Sequence, residues 1–371
     1  MGSVGGGCGS PEEEEERTAG SRGDPPPPAV CVTGSTGYVG SWLVRTLLRR
    51  GYLVHATARD TGKACQVLGA VEEGRDRLRV FRADMGEEGS FDAAVTGCVA
   101  LFHVAASMEL HVSPAHHDNL EEHVRSSVLE PATRGTINVL RSCVRAGTVR
   151  RVVFTSSVST LTAVDDEGRR KAVVDLSALS ELMNPMLASD LWQIYILSKR
   201  LTEEAAFWFA RENGVHLVSL VLPTVAGPFL TPSVPTSIQL LLSPITGDPK
   251  LYAVLASVHA RFGCVPLAHV QDACDAHVFL MEAPCAEGRY LCAAGGYAAA
   301  HLARLLASRY PPFRPGDRLS RDFDDASCSP PVVSSRRLMD LGFRFRHGVE
   351  DVVKDSVAQC LAHGFLEHPE T

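Results

Sequence analysis

Residues 29–58 read AVCVTGSTGYVGSWLVRTLLRRGYLVHATA, and the fold follows from their pattern. It opens with an apolar, β-prone run at 29–33 and closes with a second one at 53–58. Between them, glycines spaced G-x-x-G-x-x-G lead into a segment whose apolar residues recur at helical spacing. A strand, a glycine turn, a helix and a second strand make a βαβ unit, so order is expected to begin at residue 29.

The same alternation continues along the chain. Strand patterns lie at 78–82, 99–104, 151–155 and 217–222, and long helical patterns lie at 118–147 and 191–213. This order predicts an α/β fold, a Rossmann-type doubly wound and mostly parallel sheet. After Pro223 the alternation fades, and residues 228–252 are rich in Pro, Ser and Thr. Later patterns predict a strand near 288–293 and helices near 270–282, 298–309 and 348–363.

Composition narrows the class of protein. The chain has 371 residues and a net charge of -7, which gives no electrostatic reason to expect nucleic acid or an anionic membrane as partner. No apolar run reaches the length of a membrane span. The 11 Cys never show C-x-x-C spacing, which favours free thiols in a reducing compartment. Five consecutive Glu at 12–16 argue against a secretory or transit signal, so a cytoplasmic location is expected.

The glycine turn has the context of a dinucleotide site. Gly34 allows the tight turn, Gly37 lets the backbone approach a pyrophosphate, and Gly40 lets helix and strand pack closely. The helix N-terminus then offers N–H groups and a positive dipole to the phosphates. The alternative is a turn that needs glycine only for its shape. In the dinucleotide interpretation, three residues between the glycines also contact the cofactor: Thr36, Tyr38 and Val39.

The end of the second strand indicates which cofactor is bound. An acid there would bind a ribose 2′-hydroxyl, but the sequence places Arg59 there, with Lys63 close behind. A guanidinium pairs bidentately with a 2′-phosphate, so NADPH is predicted over NADH unless Arg59 is an ordinary surface charge. After the third strand, Asp84, with Met85 beside it, is a candidate for the adenine amino group. A turn or helix cap is the alternative for Asp84.

A catalytic pair is predicted on the helical pattern at 191–213. Tyr195 and Lys199 have Y-x-x-x-K spacing, so both side chains lie on one helix face. A neighbouring ammonium favours the phenolate by charge, which suits general acid–base catalysis. A TSS run follows the strand at 151–155, at the sheet edge where ligands bind. His111, His116 and His117 cluster, but no carboxylate or thiolate follows them at metal-ligand spacing, so a polar loop is predicted rather than a metal site.

Together these residues resemble the extended short-chain dehydrogenase/reductase superfamily, and within it the plant dihydroflavonol reductase-like branch. The resemblance covers about residues 29–366 and includes VCVTGSTGYVGSWLV, RVVFTSS, YILSK and SVPTSIQLLLSPITGD. It implies that Ser157, Tyr195 and Lys199 are catalytic. Tyr195 and Lys199 are also implied to bind the cofactor, Lys199 through the nicotinamide ribose. The resemblance also implies that the segment after the fourth strand lines the nicotinamide side of the cofactor site. The family usually ends this segment in Thr-Pro, whereas this chain has Ala-Ser there. The implied nicotinamide-side residues are Val104, Ala105, Ala106, Ser107 and Pro223.

Within the branch, the sequence is most like anthocyanidin reductases. Dihydroflavonol reductases carry an Asn five residues after the catalytic Ser, and this chain has Thr162 there, a candidate substrate contact. The resemblance therefore implies an NADPH-dependent reductase that converts an anthocyanidin to a flavan-3-ol. Open alternatives are a dihydroflavonol or other phenylpropanoid carbonyl reductase, a 3β-hydroxysteroid dehydrogenase or epimerase-type enzyme, and a non-enzymatic NADP-binding protein. The oligomeric state is not predicted.

Three regions are therefore predicted. Residues 1–28 form a disordered acidic Gly/Pro-rich tail, because they offer almost no apolar surface to bury. Residues 29–225 form the NADP-binding Rossmann domain with the catalytic residues. Residues 226–371 form a smaller, irregular α/β domain that mainly binds a flavonoid-like substrate.

Overall fold

The computed structural model describes residues 27–106, 120–163, 167, 169–177, 191–312 and 330–368. The predicted tail up to residue 26, Ser107 and the three clustered histidines lie outside these residues. The described strands are β1 Ala29–Thr33, β2 Leu53–Ala58, β3 Leu78–Arg82, β4 Ala100–His103, β5 Arg151–Ser157, β6 Val173–Val174, β7 Leu217–Leu222, β8 Thr224–Ala226, β9 Val265–His269, β10 Gly288–Leu291, β11 Gly295–Tyr297 and β12 Val332–Val333.

The helices are α1 Tyr38–Arg49, α2 Thr61–Leu68, α3 Asp92–Val95, α4 Leu120–Val124, α5 Glu130–Ala146, α6 Leu191–Glu212, α7 Thr236–Thr246, α8 Pro249–Phe262, α9 Val270–Glu282, α10 Ala299–Arg309, α11 Arg336–Asp340 and α12 Val349–Ala362. The pattern at 118–147 is divided by a π-helical turn, Arg125–Leu129, between α4 and α5. A 3₁₀ turn, Val158–Thr160, follows β5 directly.

Seven strands form the central sheet in the order β10-β7-β5-β4-β1-β2-β3, and all are paired in parallel. Parallel sheets are buried on both faces, which explains the continuous apolar runs of the sequence. In β1, Val30 and Val32 pack in one core cluster with α1 and α9. Cys31, pointing the other way, packs in a second cluster with α3, α5 and α6. The predicted Rossmann-type fold is confirmed.

The second half contains regular structure that the sequence patterns do not reveal. The stretch rich in Pro, Ser and Thr forms α7 and α8, and Pro244 lies inside α7. A small sheet of order β11-β9-β8 packs with α7, α10 and α12 around its own apolar cluster. Two of its strands, β8 and β11, have only three residues each, which is too short for a sequence pattern to indicate a strand.

The chain returns to the central sheet after residue 226. Strand β10 pairs with β7, so Arg289 lies beside Ser219, and α9 packs with α1 in the same core cluster. Residues of the predicted substrate-binding region thus complete the sheet that carries the candidate cofactor residues. The division at 225/226 remains a prediction about function.

Candidate active site

The candidate residues gather at one edge of the central sheet. Because the strands are parallel, their carboxyl ends meet there, where open α/β sheets bind ligands. The residues at or just after these ends are Gly34 for β1, Arg59 for β2, Asp84 for β3, Val104 for β4, Ser157 for β5 and Pro223 for β7. The fold alone therefore brings together residues up to about 190 positions apart in the chain.

The three glycines of the turn have different surroundings. Gly34 has a φ of +69°, and a Cβ on it would lie 2.8 Å from the Ala105 Cα. A Cβ on Gly40 would lie 2.1 Å from the Gly34 carbonyl oxygen, so β1 and α1 pack too closely for a side chain. Gly37 is exposed, and a Cβ there would have no neighbour nearer than 3.4 Å.

Helix α1 begins directly after Gly37, which supplies no side-chain cap to its first N–H groups. Unpaired amides at the start of a helix are hydrogen-bond donors for a phosphate. Thr36 is half-buried, whereas Tyr38 and Val39 pack against the core. The turn therefore fits a pyrophosphate, with Tyr38 and Val39 offering their backbone rather than their side chains.

A buried hydrogen-bond chain supports this turn, and sequence reasoning missed it. The Ala105 N–H donates to Thr33 Oγ1 at 3.1 Å, and Thr33 Oγ1 lies 2.9 Å from Nδ1 of His103. Nε2 of His103 lies 3.3 Å from Thr136 Oγ1 on α5. Burial, with a smaller contribution from the Lys199 charge, lowers the pKa of His103 to about 3, so the imidazole is neutral. The only sequence signal is a histidine ending an otherwise apolar strand.

The residues predicted to lie around the adenosine follow β2 and β3, at the end of the sheet farthest from β10. Arg59 and Lys63 are exposed, and the Asp60 carboxylate between them caps α2 by accepting the Lys63 N–H at 3.0 Å. Asp84 accepts the Gly86 N–H at 2.8 Å, which is the turn-capping contact considered as its alternative. The carbonyl of Met85 accepts a hydrogen bond from Asn138 at 3.0 Å. The adenine contact of Asp84 stays a prediction.

Tyr195 and Lys199 face the same narrow cleft as the loop after β4. The cleft is lined by Met85, Ala105, Ala106, Ala132, Thr136, Phe154, Tyr195, Ser198, Lys199 and Thr202. Nζ of Lys199 donates to the Thr155 carbonyl at 3.4 Å, which ties α6 to the end of β5. Five of the predicted site residues thus share one cleft, next to the turn that Gly34 forms.

The TSS run at the end of β5 offers three hydroxyls, and their environments differ. Nδ1 of His277 contacts the Ala273 carbonyl at 2.8 Å and must donate, so Nε2 accepts from Thr155 at 2.8 Å. Ser156 is 2% exposed, whereas Ser157 is half-buried. Oγ of Ser157 accepts the Ser159 N–H at 3.2 Å, which leaves its own proton for donation. Ser157 is therefore the hydroxyl best placed to meet a ligand.

The other candidates, Ser157, Thr162 and Pro223, are not among the residues that line the cleft. Thr162 is half-buried and follows the 3₁₀ turn after Ser157, and Pro223 is buried between β7 and β8. Within the described residues, no group of His, Cys, Asp and Glu could hold a metal ion. The nine cysteines described are free thiols. Among the described helices, none combines the length and apolar character needed to cross a membrane.

Comparison with known proteins gives the family. The model of the NAD dependent epimerase/dehydratase family matches residues 30–292, and the chain belongs to that family. It is 36% identical to an anthocyanidin reductase of Vitis vinifera described as (2S)-flavan-3-ol-forming, over 91% of this chain and 96% of that protein. It is 38% identical to dihydroflavonol 4-reductase of Zea mays, over 91% and 89%. The predicted class, an oxidoreductase of the dihydroflavonol reductase-like branch, is confirmed.

Solved structures share the fold over nearly their whole length. Vestitone reductase from alfalfa is 28% identical with a TM-score of 0.73, covering 91% of this chain and 99% of that one. Gre2 from Candida albicans, solved in complex with NADPH, has a TM-score of 0.72 at 22% identity, over 91% and 99%.

Proposed function

We propose that this chain is an NADPH-dependent reductase of flavonoids whose substrate is an anthocyanidin and whose product is a flavan-3-ol. The observation that carries the proposal is the cleft where Tyr195 and Lys199 lie beside Ala105 and Ala106. Because Ala105 also packs against Gly34, a dinucleotide seated on the glycine turn would extend towards this cleft. A phenol, an ammonium and the nicotinamide end of a cofactor are the groups that a reduction by hydride transfer with proton donation requires.

The cofactor would rest on the first N–H groups of α1 at Gly37 and beside Arg59 and Lys63. The exposed guanidinium of Arg59 at the end of β2 supports NADPH over NADH, since it can pair with a 2′-phosphate. When bound, NADPH supplies hydride. The anthocyanidin cation takes up two hydrides and one proton to become a flavan-3-ol, so two NADPH are consumed.

The side chains of the chain handle the proton and the orientation of the substrate. Tyr195 would donate the proton from Oη. The positive charge of Lys199, one helical turn further on, would stabilise the phenolate that remains. Ser157 would donate its hydroxyl proton to a substrate oxygen, since its oxygen already accepts the Ser159 N–H at 3.2 Å. Nζ of Lys199 donates to the Thr155 carbonyl at 3.4 Å, which holds Lys199 towards the strand end that carries Ser157.

The choice of an anthocyanidin rests on Thr162. A dihydroflavonol site needs an amide side chain there to bind the flavonoid hydroxyls, as the resemblance to that branch implies, and threonine is shorter and offers one hydroxyl. Relatives of both types match at 36% and 38% identity, so overall similarity favours neither. The second candidate is therefore reduction of the 4-carbonyl of a dihydroflavonol.

A substrate panel tests the proposal. The full chain would be incubated with NADPH and either cyanidin or dihydroquercetin, and the products separated on a chiral column. We expect flavan-3-ol from cyanidin and slower turnover of dihydroquercetin. Tyr195→Phe is the control for chemistry at the proposed site. Faster formation of a leucoanthocyanidin from dihydroquercetin would assign the second function, and turnover of neither compound would reject a flavonoid substrate.

A further inference from the structure

A buried ion pair lies next to the candidate site but outside the cleft. Glu203 on α6, one turn beyond Lys199, and Arg289 on β10 form it, and their side chains are 4% and 15% exposed. The pairing is bidentate, with Nε of Arg289 donating to Oε1 of Glu203 at 3.1 Å and Nη2 to Oε2 at 2.9 Å. Oε1 also accepts the hydroxyl of Ser219 on β7. The helix that carries Tyr195 and Lys199 is thereby fixed to two strands of the sheet.

The same guanidinium also reaches the turn that carries Ser157. Nη2 of Arg289 donates to Thr160 Oγ1 at 2.8 Å, and Thr160 Oγ1 donates to the Ser157 carbonyl at 2.8 Å. Arg289 therefore connects the helix of Tyr195 with the backbone of Ser157. A side chain from the part of the chain beyond residue 226 holds two groups of the proposed reaction at once.

Stability is a weak explanation for this arrangement. Removing two charges from water costs free energy that their attraction offsets only in part, and apolar side chains of similar size often serve stability as well. The fork geometry of Arg, in contrast, fixes direction as well as distance. Serine and tyrosine hydroxyls that act on one substrate oxygen need such fixed spacing, because about 1 Å of misplacement can cost on the order of 100-fold in rate.

We propose that Arg289, with Glu203 and Thr160, is a positioning residue that sets the spacing between Ser157 and the Tyr195–Lys199 pair. The proposal rests on the proposed function of those three residues. It predicts that breaking the contact slows turnover without weakening the binding of NADPH, since these side chains do not line the cleft or the glycine turn.

Arg151 provides a matched control. It is a buried arginine on β5, but its guanidinium donates to the carbonyls of Leu280 at 2.8 Å and Met281 at 3.1 Å, at the opposite edge of the sheet. Arg289→Met and Arg151→Met should both lower the melting temperature. Only Arg289→Met should lower kcat, by about 10- to 100-fold, with an unchanged Kd for NADPH. Equal kcat values for the two variants would overturn the proposal.

Two further measurements keep the test decisive. Thr160→Val should lower kcat and Thr160→Ser should restore most of it, because only serine keeps the hydroxyl; equal rates would overturn the role of Thr160. If Arg289→Met does not fold, the comparison of kcat between Thr160→Val and Thr160→Ser tests the proposal instead. Hydrogen–deuterium exchange needs no substrate, and the amides of Ser159 and Leu161 should exchange faster in Arg289→Met than in Arg151→Met. Unchanged exchange would overturn the positioning role.

The outcome separates the two proposals. If Tyr195→Phe keeps native turnover, the proposed function fails, whereas the exchange measurement still reports whether Arg289 holds the turn. If Tyr195→Phe loses turnover and Arg289→Met does not, only the positioning role fails.

Discussion

Substituting Gly40 by Ala tests whether the glycine turn is built as the structure shows. The new Cβ would lie 2.1 Å from the Gly34 carbonyl oxygen and 2.8 Å from its carbon, both backbone atoms that cannot rotate away. Either the turn or α1 must therefore move by about 1 Å to reach ordinary contact distance. Overpacking of this kind costs about 1–3 kcal/mol. In a chain of this size we expect the melting temperature to fall by roughly 2–12 °C.

The matched variant is Gly37→Ala. A Cβ there meets only the Gly34 carbonyl oxygen at 3.4 Å, so folding should be nearly unaffected. The methyl group would, however, stand where the pyrophosphate has to approach, and about 1.4 kcal/mol of lost binding raises the Kd tenfold. Differential scanning fluorimetry and NADPH titration would measure both quantities. A native melting temperature for Gly40→Ala would refute the packing argument, and native NADPH affinity for Gly37→Ala would refute the pyrophosphate assignment.

Three more outcomes are expected. Arg59→Asp should invert the preference between NADPH and NADH in binding titrations, because it replaces the partner of a 2′-phosphate by a partner of a 2′-hydroxyl; equal native affinities for both would contradict this. Tyr195→Phe should lower kcat by about 10²–10⁴ at unchanged Kd for NADPH, as loss of a positioned acid does. Burial lowers the pKa of His103 to about 3 and that of His277 to about 4. The unfolded chain, with imidazoles of ordinary pKa near 6.5, therefore binds protons first as the pH falls, and the free energy of unfolding should decrease from about pH 6.5 towards pH 4. Urea unfolding at several pH values would show this, and His277→Gln should make the decrease smaller.

The first half of the chain could be predicted closely from its sequence. Strands β1, β2, β3 and β7 begin and end at the predicted residues, because each is a short run rich in β-prone residues, although β3 also carries two arginines. The sheet is parallel throughout, so knowing the strands was enough to place the candidate residues at one edge. The sequence pattern predicts the end of β5 at residue 155, but the strand continues to Ser157, because the serines extend the pairing with β7.

Only part of the second half could be predicted in the same way. Helices α9, α10 and α12 lie within one residue of their predicted ranges, and β10 begins at the predicted residue. Other elements escape the patterns. Helix α7 contains Pro244, a residue that a sequence pattern takes as a helix end, and β8 has only three residues. The contacts around the site follow no spacing rule either. Glu203 and Arg289 are 86 residues apart, and His103 and Thr136 are 33 apart, so only the folded sheet brings them together.

After residue 226 the chain returns to the central sheet, and this return bears on how substitutions can change the turnover rate of such an enzyme. Strand β10 comes from the predicted substrate-binding region, yet its Arg289 is paired with α6 and with the turn of Ser157. Arg261 on α8 contacts the same turn, since its Nε donates to the Leu161 carbonyl at 3.0 Å. Two arginines from the region expected to recognise substrate thus hold the segment expected to perform chemistry. Substitutions in that region can therefore alter kcat through this turn without touching the substrate. Such an effect would appear as a change in kcat at constant NADPH affinity.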